Sequence, residues 1–163
     1  MRDLARSKKP VIAIFAAILL ALTLAGCDAF DREPITAYEF IVVAESLSFE
    51  VRERQADELS FSEDEVLRSF EAAHGAATVI FDVYIDDGRA IRVFNDYNRE
   101  VENFIGSPTS QWTTTMPSVN QHTRRASNIF ATATRVDNTV LFATAVGAED
   151  VAAVDTLIYI IGY

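Results

Sequence analysis

The chain has 163 residues, with 24 acidic side chains against 14 basic ones and a net charge of −10 at neutral pH. That balance disfavours nucleic acid as a partner, because phosphates are bound by Lys and Arg that displace counterions. The single cysteine, Cys27, excludes an internal disulfide, a Cys-x-x-Cys redox pair and thiolate zinc sites, and the length suits one domain held together by core packing alone.

Arg2, Arg6, Lys8 and Lys9 precede an apolar run over residues 11–24, and the segment closes on Leu24-Ala25-Gly26-Cys27. A charged start, an apolar middle and small residues before a cleavage point are the layout of a secretory signal. The apolar run reaches 15 residues at Ala25 and is followed at once by Cys27 and the acidic Asp28. A spanning helix needs ~20 residues. The tetrapeptide resembles the lipobox of bacterial lipoproteins. That resemblance implies cleavage between Gly26 and Cys27, a diacylglycerol on the Cys27 sulfur and an acylated new amino terminus. The expected organisation is a signal peptide over 1–26, a lipid-anchored tether over 27–33 and one domain over 34–163, held at the extracytoplasmic face of the cell membrane.

Cleavage would remove four basic groups and one acidic one, leaving ten arginines against 23 carboxylates and a net charge of −13. So acidic a body does not lie flat on anionic lipid, and the anchor rather than a polybasic patch would hold it. Residues 28–33 can lift the domain only about 20 Å from the bilayer at ~3.6 Å per residue.

Within the domain, Thr36 and Glu39 form an N-cap and its capping-box partner, Ile35 is placed to staple onto Phe40, and Phe40, Val43, Ala44 and Leu47 make a core-facing helical stripe. Residues 49–54 alternate as a strand with one wet face. Residues 63–74 carry conflicting signals. Ser62 to Glu65 looks like a capping box, whereas the strict alternation of Val79, Phe81, Val83 and Ile85 with Ile80, Asp82, Tyr84 and Asp86 asks for a hairpin partner. The hairpin reading, with a His74-Gly75 turn, puts Val66, Phe70 and Ala72 opposite Val83, Val79 and Ala77. A helix over 63–74 is the alternative.

Asp86 or Asp87 caps a second helix with Ala90, Phe94, Tyr97, Val101 and Phe104 on one side, ended by Gly106-Ser107-Pro108. Residues 107–123, rich in Ser, Thr, Asn and Gln, read as a loop. A second hairpin follows over 128–136 and 139–146 with an Asp137-Asn138 turn; it puts Ile129, Ala131, Ala133, Val140, Phe142 and Val146 on one face and Thr132, Thr134 and Thr139 on the other. Residues 148–161 read as a final helix stopped by Gly162, with a strand possible at the β-branched end. The expected fold is α+β: an antiparallel sheet of about five strands with helices packed on one face, and two hairpin-plus-helix units after an N-terminal helix and strand.

Pro34-Ile35-Thr36 with Glu39-Phe40, the turn Arg135-Val136-Asp137-Asn138-Thr139-Val140 and the closing Gly162-Tyr163 resemble a group of small uncharacterised lipoproteins, mainly of Gram-positive bacteria. The resemblance implies a fold and a location and carries no functional residues.

His74 and His122, the only histidines, have no metal-ligand spacing and read as a turn and a loop residue. Asp82, Asp86, Asp87 and Gly88 lack the alternation of a calcium loop and read as a strand end and helix cap. There is no Gly-x-Ser-x-Gly elbow and no glycine-rich phosphate loop. No cofactor, metal or catalytic residue is therefore expected. Trp112, the only tryptophan, and the threonine face of Thr132, Thr134 and Thr139 are the candidate binding surface. The expected role is a noncatalytic, membrane-anchored binding or accessory domain with an envelope protein or glycan as partner. A carboxylate-based hydrolase of envelope glycans and an inhibitor of a secreted enzyme are the rivals.

Overall fold

A computed structural model describes residues 32–55 and 65–163. The signal segment, Gly26, Cys27 and the Glu63-Asp64 pair lie outside the described residues. Thr36 opens helix α1 (Ala37–Ser46): its Oγ1 accepts from the Glu39 N–H at 3.2 Å, while Glu39 Oε2 accepts from the Thr36 N–H at 2.8 Å, so the capping box is closed. Phe40 and Ala44 of its stripe are fully buried, and Ile35, Val43 and Leu47 pack around them.

Two antiparallel meanders make the sheet. Strands β1 (Glu50–Glu53), β2 (Val66–His74) and β3 (Ala77–Tyr84) form the first; β4 (Ser110–Thr115), β5 (Val119–Ala126), β6 (Ile129–Val136) and β7 (Thr139–Val146) form the second. They join where β3 pairs β7, giving one seven-stranded antiparallel sheet in the order β1-β2-β3-β7-β6-β5-β4. Helix α2 (Asp87–Phe104) links the meanders, and α3 (Ala148–Ile161) closes the chain.

The α+β class holds, and five expectations are corrected. Residues 66–74 form the strand of the expected hairpin, and the helical alternative falls, but the loop is Gly75-Ala76 rather than His74-Gly75. Gly75 takes φ +55° at the first loop position, which moves the register by two residues and puts Phe70 opposite Phe81. Phe70 and Ala72 keep the expected face, but a bulge between Val66 and Arg68 turns Val66 to the other. Residues 107–123 are not a loop. They contain β4 and the start of β5, closed by a Pro117-Ser118 turn in which the Met116 N–H donates to the Val119 carbonyl at 2.7 Å.

The sheet is also wider than five strands, and its helices cover both faces. On one face α1 and α3 enclose Phe40, Phe70, Val79, Phe81, Phe130, Leu141, Ala143, Val154 and Leu157. On the other, α2 lays Ala90, Val93, Phe94, Tyr97 and Val101 over Tyr84, Ala131, Ala133 and Val140. The strand-strand-helix order of the two units recurs, but their helices go to opposite faces. The β6–β7 hairpin has the expected register, Val136 opposite Thr139, with Asp137 at φ +48°. α3 stays helical to Ile161, and Gly162 ends it in the left-handed region at φ +77°.

Candidate functional site

The expected binding surface is split by the structure. Thr132 and Thr134 are 0 % exposed and Thr139 2 %, because the face they occupy is the one beneath α1 and α3. Thr132 Oγ1 donates to the His122 carbonyl at 3.2 Å and pairs with Thr123 Oγ1 at 2.7 Å; Thr139 Oγ1 donates to the Val136 carbonyl at 2.6 Å and meets the Tyr163 hydroxyl. Thr132 and Thr139 are interior hydrogen-bonding groups, the Thr134 hydroxyl is buried without a hydrogen-bond partner among the described residues, and none of the three forms a surface. Burial and the nearby Asp137 push the Tyr163 phenol up to about 12, so it stays protonated and ties the carboxyl terminus to Thr139 and to the backbone of Ile35.

Trp112 stays outside. It sits on β4, the last strand of the sheet, and is 42 % exposed. The guanidinium of Arg125 lies 5.9 Å from its ring centroid and 4.4 Å from that of Phe130, and the same group forms an ion pair with Asp155 of α3. Ser110, Gln111, Trp112, Thr113 and Thr115 are all exposed, and no residue of the strand is charged. The Met116–Val119 bond fixes the alternation of the β4–β5 ladder: Ser110, Trp112 and Thr114 turn their backbone groups towards β5, so those of Gln111, Thr113 and Thr115 point away from the sheet. Among the described residues β4 is an uncovered edge, and none of them pairs with its outward donors and acceptors.

Behind it lies His122, a β5 residue and not a loop residue. Its Nδ1 is 2.9 Å from Thr113 Oγ1, its Nε2 has no partner among the described residues, and the residue is 5 % exposed. Burial, and then the Arg124 charge, lower its pKa, with Glu102 opposing, so the ring is neutral near pH 7. Arg124 donates to the Ile105 carbonyl at 3.0 Å and to that of Glu102 at 3.4 Å, closing the carboxyl end of α2. His74 ends β2, where its Nδ1 meets Asp150 Oδ1 at 3.1 Å, and Asp150 Oδ2 accepts from the Ala76 N–H at 3.0 Å.

The sequence did not disclose the buried carboxylate Asp82. On β3 it belongs to the set that alternates with the apolar stripe of Val79, Phe81 and Val83, yet α2 covers that face and leaves it 2 % exposed. Ser69 Oγ donates to Oδ1 at 2.6 Å; the hydroxyls of Tyr84 and Tyr97 donate to Oδ2 at 3.0 and 2.9 Å; Arg54 Nη1 stands 3.9 Å from Oδ1. Burial raises the Asp82 pKa against the pull of those donors, and it drives both phenols far above their ordinary range. The signal for this cluster in the sequence is a pair of tyrosines, Tyr84 two residues along the strand from Asp82 and Tyr97 within the apolar stripe of α2, each with a hydroxyl that must find a partner when buried. With every oxygen engaged, the cluster pins β2, β3 and α2 together and leaves no face of the carboxylate for a substrate. Asp86, by contrast, caps α2 as expected, its Oδ1 accepting from the Arg89 N–H at 2.8 Å.

A shallow cavity of about 320 Å³ lies against β1 and β2, lined by Glu50, Val51, Arg52, Glu71 and Ala73. Arg52 occupies Glu71 at 2.9 Å, which ties up one of its two carboxylates. Among the described residues no three His, Cys, Asp or Glu side chains gather to hold a metal ion, and no helix is long and apolar enough to cross a membrane. Comparison with protein-family profiles, curated proteins and solved structures returns no match.

Proposed function

We propose that the chain is a bacterial lipoprotein, anchored through Cys27 at the extracytoplasmic face of the membrane, whose domain is a noncatalytic binding or accessory module that engages its partner along β4. The observation that carries this reading is the edge itself: six uncharged residues, five of them exposed, with Trp112 among them and an outward row of backbone groups that no described residue pairs. Exposed long edges are ordinarily blunted by charge, proline or brevity. The opposite edge follows that rule, since β1 has four residues of which Glu50, Arg52 and Glu53 are charged. A glycan hydrolase finds less support. Its two carboxylates would stand ~5 to 9.5 Å apart in an open cleft, whereas Asp82 is sealed and Glu71 is held by Arg52.

Two experiments test the reading. Incorporation of radiolabelled palmitate is expected in the wild type and lost in Cys27→Ser; label persisting in that variant refutes the anchor. A photoreactive side chain at position 111 is expected to cross-link in intact envelopes, while the same group at position 91, on the outer side of α2, is not. Equal yields at the two positions, or release of soluble fragments from cell-wall glycan by the purified protein, would overturn a binding role for β4.

A further inference from the structure

The partner that best fits β4 can be read from the strand. We propose that β4 pairs with β4 of a second copy of this chain, antiparallel about a two-fold axis through Thr113, so that two sheets join edge to edge. The inference rests on the reading of β4 as the docking edge and names its occupant.

Three observations favour a second copy. A strand that completes this edge finds no charge on it to pair with and must take up extended structure, and Ser110–Thr115, with three threonines and a tryptophan, is itself uncharged and suited to that form. The outward backbone groups, those of Gln111, Thr113 and Thr115, are spaced symmetrically about Thr113. An axis there sets Thr113 against Thr113 and Gln111 against Thr115 of the second copy, and every outward N–H meets an outward carbonyl. On the face that bears Arg125, the same register lays each Trp112 across from Thr114 of the other copy, a cross-strand contact between an aromatic ring and a β-branched side chain.

Charge allows the approach. The nearest arginines are already neutralised, Arg125 by Asp155 and Arg124 by Glu102. The acidic remainder of each domain acts at a distance, where salt at physiological strength screens it beyond about 8 Å. Added salt therefore strengthens this contact, opposite to its effect on a partner held by ion pairs. The strand pair buries little area, so the dimer is weak in dilute solution. Anchoring both copies in one membrane raises their effective concentration without adding a contact.

The test uses the absence of any cysteine other than Cys27. Full-length Thr113→Cys, in the membranes of expressing cells, brings two Cα atoms to about 5.5 Å across the axis, inside the ~4.4–6.8 Å that a disulfide spans. Mild oxidation should convert it to a species of twice the chain mass. Gln111→Cys alone, with its two copies about 13 Å apart along the strands, should give at least about tenfold less. The double variant Gln111→Cys/Thr115→Cys should cross-link again, which keeps the test independent of the bond between Thr113 and His122. Gln111→Pro removes one outward N–H and should abolish the Thr113→Cys product while the far-ultraviolet circular dichroism stays unchanged.

Equal cross-linking at positions 111 and 113, or a product indifferent to Gln111→Pro, would overturn the pairing. So would monomer in both Thr113→Cys and the double variant. An adduct of some other mass that disappears with Gln111→Pro removes self-pairing and keeps β4 as a binding edge. No adduct of any kind removes both. A disulfide dimer of the wild-type chain would expose a free Cys27 thiol and so report failure of the lipid assignment alone.

Discussion

Removal of a single hydroxyl from the buried Asp82 cluster tests whether that carboxylate is a structural pin. In Tyr97→Phe the ring remains stacked on Phe142, where the centroids are 4.7 Å apart, so the change isolates the oxygen. That oxygen donates to Asp82 Oδ2 at 2.9 Å and also meets Arg54. A buried hydrogen bond to a charged group is worth about 1.5–3 kcal/mol, out of a total stability of roughly 5–15 kcal/mol for a domain of this kind. With a urea slope of about 2 kcal/mol per molar, the unfolding midpoint at pH 7 should fall by about 1 M with the slope unchanged. The cost should also depend on pH. Burial holds the folded-state pKa of Asp82 above its ordinary 3.8, so the folded state binds the proton more tightly and stability declines as pH rises from that value through the folded one. The Tyr97 donor limits the decline, and its loss raises the folded pKa further. Near pH 4 much of the carboxylate is protonated, and the same substitution should cost only about 0.5–1.5 kcal/mol, as for a neutral hydrogen bond. Urea titrations at the two pH values decide the matter. A cost below about 0.5 kcal/mol at pH 7, or the same cost at both, would show that the hydroxyl does not support an ionised Asp82.

Substitutions at three further positions probe how the turns are held. Asp150 is kept below its ordinary pKa chiefly by the Ala76 N–H and then by His74, so it contributes stability that is complete above pH 3.8 and is lost as pH falls through the lower folded value; Asp150→Asn should flatten that acid limb in urea midpoints measured against pH. Gly75→Ala should destabilise by about 1–2 kcal/mol in thermal unfolding, since φ is +55° and the added Cβ would meet the Asp150 carboxylate. Arg135 is 1 % exposed and donates to Asn120 Oδ1, the Asp137 carbonyl and the Pro117 carbonyl at 2.7, 2.9 and 2.7 Å. Arg135→Met should cost about 2–4 kcal/mol, and Arg135→Lys should recover little of it, because a point donor cannot serve three acceptors held in a fork; full recovery by lysine in the same melting assay would count against that geometry.

What the sequence disclosed of this fold follows the range of the interactions involved. The capping box at Thr36 and Glu39, the Asp86 cap, the Asp137-Asn138 turn and the Gly162 stop are completed by residues within four positions of one another, and each stands where the local pattern put it. β4 and β5 were illegible because their inward positions hold Thr and His, whose hydrogen bonds, Thr113 with His122 and Thr123 with Thr132, stand in place of the apolar alternation that marks a strand. Coverage of both faces had a signal that went unused. Phe130, Val136, Leu141, Ala143 and Ala145 share the face of Thr132 and Thr134, and a face with five apolar positions in two strands does not stay wet. The candidate site was legible only at Trp112. Thr132, Thr134 and Thr139 are polar by type, but polarity inside a two-sided sheet marks a place in the core as often as contact with solvent. The β4 edge became recognisable once the sheet order was known, because which strand ends a sheet is set by the β3–β7 pairing, a contact across some sixty residues that no local pattern encodes.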